Sequence, residues 1–277
     1  VSAQGGRLGG AISRRQWLCV VPAGCAALAG GGAAWAEPEA RGSAARVYRE
    51  FPAQNPESVR AVVTASHGNI DRVRELVEAS PALAKAAWDW GFGDWETALG
   101  AASHMGRADI ATLLIAHGAR PNLFTLAMLG KVDAVRACVA AMPGIQRIPG
   151  PHGITLLQHA RNGGDAAKAV VAYLEGLGDA DPLATSLEMT DALKATYVGR
   201  YAFGDGDDEV LEVAIDRRGG LTIVRPAGAP RRLHRVEEHG FAPVGAPQVR
   251  IRFRVERDSA SAVTIHDPEP VVTAVRG

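Results

Sequence analysis

The sequence predicts an α+β protein: a solenoid of about four helix pairs, then a small antiparallel β-barrel or sandwich. Three observations carry the prediction. Gly68, Gly106, Gly130 and Gly163 recur at intervals of 38, 24 and 33 residues, each between two runs with apolar side chains at helical spacing. Three of these turns repeat in finer detail, as GNIDRVRELV, GRADIATLLI and GKVDAVRACV. Beyond Pro182 the apolar period changes to two, as in EVLEVAID and VRIRFRV, which is the pattern of strands with one buried face.

Residues 1–36 are set apart from both patterns. Ser13-Arg14-Arg15-Gln16-Trp17-Leu18 is a twin-arginine pattern, Arg7 precedes it, and no acid occurs before Glu37. An Ala- and Gly-rich apolar run from Trp17 to Ala34 ends in the small-x-small site Ala34-Trp35-Ala36. The run contains Pro22 and few strongly apolar residues, which argues against a membrane span. These features resemble a bacterial twin-arginine (Tat) export signal, with Arg14 and Arg15 as its recognition pair. The resemblance implies a periplasmic or secreted protein that begins near Glu37 and has no membrane span after signal removal. Cleavage would remove Cys19 and Cys25 and leave Cys138 alone, so no internal disulfide is expected. Cys138 lies in an apolar helical run and reads as a small core residue.

Residues 37–57 read as a polar linker with Pro38, Pro52 and Pro56. The helical region spans 58–181. In three units an acid follows the turn glycine by three residues, at Asp71, Asp109 and Asp133, where the exposed amides of a helix start favour a carboxylate. Leu113 and Leu114 fall on the core side of the second unit. The glycines themselves suit turns that need positive φ. Thr97-Ala98-Leu99 and Ala101-Ala102 before Gly106, with the closing Gly118-Ala119-Arg120-Pro121-Asn122, resemble the ankyrin repeat family. A fourth unit opens at Thr155-Leu156-Leu157. Ala98 and Gly100 stand where the family usually has Pro and His. The resemblance implies a protein-interaction solenoid and names no partner.

Unit lengths then mark where function is expected. The first interval is about five residues longer than the ankyrin period, and the surplus falls at Trp88–Glu96. That stretch holds three of the five Trp, Trp88, Trp90 and Trp95, together with Asp89, Phe92, Asp94 and Glu96. Pro149–Gly153 forms a second projecting finger. Fingers of neighbouring units line one edge of a solenoid, so the two are expected to flank one groove. Trp88, Trp90, Phe92 and Trp95 either close the end of the solenoid core or anchor a protein partner. Trp90 is expected as the exposed anchor and Trp95, next to the helix start, as the buried one.

After 182, a short helix over 186–196 leads into strands through 277, giving a β-domain over 184–277. Arg250, Arg252 and Arg254 alternate with Val249, Ile251, Phe253 and Val255, so the arginines read as a solvated sheet face. Tyr197-Val198-Gly199-Arg200-Tyr201-Ala202-Phe203-Gly204 with the later strands resembles the small β-domain of some β-lactamase-like serine hydrolases. That resemblance implies an accessory module.

Lys+Arg and Asp+Glu both total 30, which gives no global field for nucleic acid. Ser-x-x-Lys, Gly-x-Ser-x-Gly, His-Glu-x-x-His and Cys-x-x-Cys are absent, so no catalytic residue, cofactor or metal is assigned. The acidic Gly204–Glu209 stretch reads as a solvated turn. His67 and His117 suit helix ends, bonding backbone carbonyls. The expected function is therefore non-catalytic protein binding through Trp88, Asp89, Trp90, Phe92, Asp94, Trp95, Glu96, His104 and His152. The alternative is a small-ligand or metal site, possibly enzymatic, should His104 and His152 face the groove together with Asp89, Asp94 or Glu96.

Overall fold

Capping residues set where the helices begin. The computed structural model describes residues 51–182, 186–226 and 228–277. Arg14, Arg15, the 1–36 segment and most of the 37–57 linker lie outside the described residues. Asn55 Oδ1 accepts from the Glu57 amide at 2.8 Å and starts α1, Pro56–Ala65. Thr97 caps α3 (Ala98–His104), Asn122 caps α5 (Leu123–Met128) and Thr155 caps α7 (Leu156–Asn162). Each cap satisfies an amide that the first helical turn leaves free.

The second helix of each pair is α2 (Ile70–Ala79), α4 (Ala108–Ala116), α6 (Val132–Ala141) or α8 (Lys168–Leu177). Asp71, Asp109 and Asp133 sit in the first turns of α2, α4 and α6, as their spacing predicts. Positive φ holds at Gly106 and Gly130 but not at Gly68, nor at Gly163, where φ is −71°. Gly106, Gly130 and Gly163 share a requirement for close packing that Gly68 lacks. A Cβ on Gly106 would meet the Asn162 carbonyl oxygen at 2.1 Å, and one on Gly163 would meet that of Met128 at 2.0 Å. Each of these turns thus packs directly on the backbone of a neighbouring pair.

The pairs bury two clusters, one containing Val62, Val73, Leu99, Ile110 and Leu114, the other Val135, Leu156, Val170 and Leu174. Leu114 is fully buried, whereas Leu113 is half-buried at the edge of the first cluster. Cys138 is half-buried and forms no disulfide among the described residues. Leu114→Ala is expected to cost about 2–5 kcal/mol, because the cavity cannot collapse between rigid pairs. An unchanged thermal midpoint for that variant would contradict this packing.

The surplus residues after α2 form a hairpin, β1 (Ala87–Asp89) and β2 (Trp95–Thr97), with Trp88 opposite Glu96 and Asp89 opposite Trp95. The 149–153 finger is a tight turn before α7.

Beyond the helices, α9 (Asp191–Tyr197) leads into β3 (Gly199–Ala202), β4 (Val210–Ile215), β5 (Leu221–Val224), β6 (Arg231–Glu237), β7 (Gly240–Pro243), β8 (Arg250–Glu256), β9 (Ser259–His266) and β10 (Pro270–Arg276). Every neighbouring pair is antiparallel and β10 closes on β3, so the sheet is an eight-stranded up-and-down barrel. Closure leaves no free edge. Tyr197, Tyr201, Phe241 and Phe253 fill the interior with ring centroids 4.9 to 5.8 Å apart. Arg252 and Arg254 lie outside, beside Glu237 and Glu256, as the alternation predicts.

In an up-and-down barrel the connections after β3, β5, β7 and β9 gather at one end. The helical fingers dock there, within the same compact unit. Phe92 packs on the barrel core, Gln248 Nε2 donates to the Phe92 carbonyl at 3.4 Å, and Arg231 forms an ion pair with Asp94. The finger edge expected to receive an external partner is thus partly covered by the chain's own barrel.

Candidate metal centre

Four side chains from four separate segments converge beneath this contact. His67 follows α1, Glu96 is the middle residue of β2, His104 ends α3, and His152 lies in the second finger. Strand alternation aims Glu96 inward, where it is completely buried. Its Oε1 lies 2.9 Å from His104 Nε2, and its Oε2 lies 3.3 Å from His152 Nε2 and 3.4 Å from His67 Nε2. One donor atom from each residue falls within 4.8 Å of all the others.

Which nitrogen faces the centre follows from what holds the other. His67 Nδ1 is 3.1 Å from the carbonyl oxygens of both Val63 and Thr64. His152 Nδ1 is 2.8 Å from Asp94 Oδ2. Both acceptors require an N–H at Nδ1, so in the neutral rings the Nε2 lone pairs point at the Glu96 carboxylate. Lone pairs facing an anion repel unless a cation lies between them. That cation is either a proton or a metal ion. His104 supplies the sharper observation: its Nε2 and Glu96 Oε1 are near each other yet misaligned, and neither buried atom has a hydrogen-bond partner among the described residues. Buried polar atoms are rarely left unsatisfied.

Without a metal, protons must carry the charge. Burial pushes the Glu96 and Asp94 carboxyls up. The His104 and His152 imidazoles set against Glu96, and the hydrogen bonds from His152 and Arg231 to Asp94, outweigh it and bring each to about 2. Burial pulls His152 down, but its bonds to Asp94 and Glu96 raise it to about 9.

A second layer orients the first. Trp90 Nε1 donates to Glu96 Oε2 at 3.1 Å. Asp94 accepts from both the His152 backbone N–H, at 2.9 Å, and its Nδ1–H. This two-point grip holds His152 in the left-handed region, at φ 59° and ψ 18°, a conformation a non-glycine residue keeps only when its surroundings impose it. Arg231 Nη2 of β6 donates to Asp94 and, at 2.7 Å, to the Val244 carbonyl. A carboxylate behind a histidine is the usual way to fix the tautomer of a metal ligand. Three imidazoles and one carboxylate are a tetrahedral donor set that suits Zn²⁺.

The sequence-predicted residues therefore divide. Glu96, His104 and His152 come together, with Asp94 behind them, and all but His152 are buried. Asp89 is exposed and accepts from the Gly91 amide. Trp88 and Trp90 are half-buried against the helical core. Trp95, expected to be buried, is 62% exposed. It lies in β2 rather than at a helix start, and the same alternation that turns Glu96 in turns Trp95 out.

His67 is the member of the cluster that the residue spacing leaves out. Its turn position does imply a bond to a backbone carbonyl, but that bond uses Nδ1 and frees Nε2 for the centre. A further histidine, His159, lies outside the cluster of three histidines and Glu96. Its Nδ1 bonds the Thr155 carbonyl at 2.8 Å, and burial brings it down to about 4.

The ankyrin repeat family matches residues 94–126, a stretch that begins at Asp94 and includes Glu96 and His104. This supports a role in protein interaction in general. No curated protein matches the chain. Among the described residues, no helix is long and apolar enough to cross a membrane.

Proposed function

We propose that this chain is an ankyrin-type interaction protein whose two fingers are locked by a Zn²⁺ ion bound to His67, Glu96, His104 and His152. The observation that carries the reading is the convergence of three Nε2 atoms on a buried carboxylate, with His104 Nε2 and Glu96 Oε1 unpartnered. The role is architectural rather than enzymatic. Four protein donors complete a tetrahedral shell and leave no position for a reacting water. The ion would tie the end of α1, the hairpin, the end of α3 and the second finger into one node. Metal analysis of the chain purified from its native compartment is expected to find about one zinc per chain. Protein that carries no transition metal would overturn this reading.

Protein binding remains part of the proposal, with further helix pairs acting as ankyrin units beside the matched one. The finger surface left open centres on Trp95. Trp95→Ala is expected to change stability by no more than about 0.5 kcal/mol while weakening partner capture by about 2 kcal/mol. A Trp95→Ala chain that retains every partner in a pull-down would remove Trp95 from the interface.

Export through the twin-arginine route suits a protein that folds around its metal before transport. Replacing Arg14 and Arg15 by Lys is expected to trap uncleaved chain in the cytoplasm. Normal processing of that double variant would refute the export reading.

A further inference from the structure

The barrel is filled unevenly. Tyr197, Phe241 and Phe253 pack the end beside α9, whereas the opposite end is walled by the smaller Leu211, Ile223, Ile265 and Val272. That end encloses a cavity of about 540 Å³, closed on one side by Trp90 and Phe92 of the finger. Eight-stranded barrels are just wide enough either to be filled by side chains or to hold one small ligand. A mostly apolar cavity of this size with few polar groups has the form of a ligand site.

Two charged residues on its lining decide what kind. Arg225 is exposed, and its guanidinium lies 5.3 Å from the Phe203 ring centroid, which stations it at the mouth. It bonds the Asp208 carbonyl at 3.0 Å and reaches that residue's carboxylate only at 3.8 Å, so donors remain free. Asp267, also on the lining, is exposed and forms no ion pair among the described residues. Arg231 contributes little net charge, because Asp94 neutralises it. Among the described residues the mouth therefore offers a guanidinium only loosely paired, Arg225 with Asp208 at 3.8 Å, and an unpaired carboxylate, Asp267, above an apolar interior.

We propose that this cavity binds a small apolar zwitterion, an amino acid or dipeptide with hydrophobic side chains. Its carboxylate meets Arg225, its ammonium meets Asp267, and its side chains enter the barrel. The site stands independently of the zinc centre, although Trp90 and Arg231 border both.

Calorimetric titration of the zinc-loaded full chain with phenylalanyl-leucine tests it. Saturable one-to-one binding is expected, weakened about tenfold or more by N-acetylation or C-terminal amidation of the dipeptide, each of which removes one charge-assisted bond. Arg225→Gln should weaken the parent dipeptide to a similar degree. Val272→Trp, which fills the cavity from the wall, and Ala229→Trp, which does so from the β5–β6 connection, should abolish binding without loss of zinc. The second variant alters no strand, so it remains informative if the first fails to fold. Absence of saturable binding, equal affinity for either blocked dipeptide, or undiminished binding by Ala229→Trp would overturn the proposal.

Discussion

Zinc at about a thousand times its dissociation constant is expected to stabilise the chain by about 4 kcal/mol over chelator-treated protein. For a unit of this size that corresponds to a rise in melting midpoint on the order of 10 °C. The gain arises because the four ligands are brought together by folding, so the ion binds the native state and hardly the unfolded chain. His104→Ala should lose the gain entirely. His104 is the most buried of the three imidazoles, at 7% side-chain exposure against 25% for His152 and 30% for His67, and water replaces it least readily. His117→Ala is the matched control: its Nδ1 bonds the Leu113 carbonyl and it lies outside the centre. An equal zinc effect in wild type and His104→Ala would place the ion elsewhere.

Asp94→Ala is expected to cost about 3–5 kcal/mol, the loss typical of a buried ion pair with one partner removed. Asp94 and Arg231 have side-chain exposures of only 3% and 11%, so the orphaned guanidinium cannot turn to water. The same change frees the His152 backbone from its left-handed conformation and unties its Nδ1. Asp94→Asn retains part of the hydrogen bonding and should chiefly weaken zinc binding, by about 10–100-fold. Asp94→Leu combined with Arg231→Met should recover much of the stability lost by either alone, since the two residues share one interaction. Denaturant melts of the four proteins read the coupling. An Asp94→Ala chain within about 1 kcal/mol of wild type would mean that the barrel is held to the fingers by other contacts.

Much of the architecture is legible in local pattern because its causes are local. The caps Thr97, Asn122 and Thr155, the acids at Asp71, Asp109 and Asp133, and the alternation through Val249–Val255 each act within a few residues. Barrel closure is not local. It depends on β10 meeting β3, and nothing in either strand alone specifies that partner, so barrel and sandwich stay open until the pairing is seen.

The centre is half legible for the same reason. Glu96, His104 and His152 can be gathered from the idea that fingers of adjacent units align. His67 cannot, because its backbone bond to Val63 and Thr64 already accounts for a histidine at that turn. The outward turn of Trp95 has a local cause. The residues before Ala98 extend into a strand, and one residue of register exchanges the faces. The docking of the barrel on the fingers rests on Arg231 meeting Asp94 across 137 residues, a pairing invisible to any repeat analysis.

X-ray absorption at the zinc edge of the full chain tests the central claim most directly. Four light donors are expected at about 2.0–2.1 Å, with the outer-shell scattering of three imidazoles, and this signal is lost in His104→Ala. A zinc spectrum with fewer histidines in the wild type, or one unchanged by His104→Ala, would contradict it.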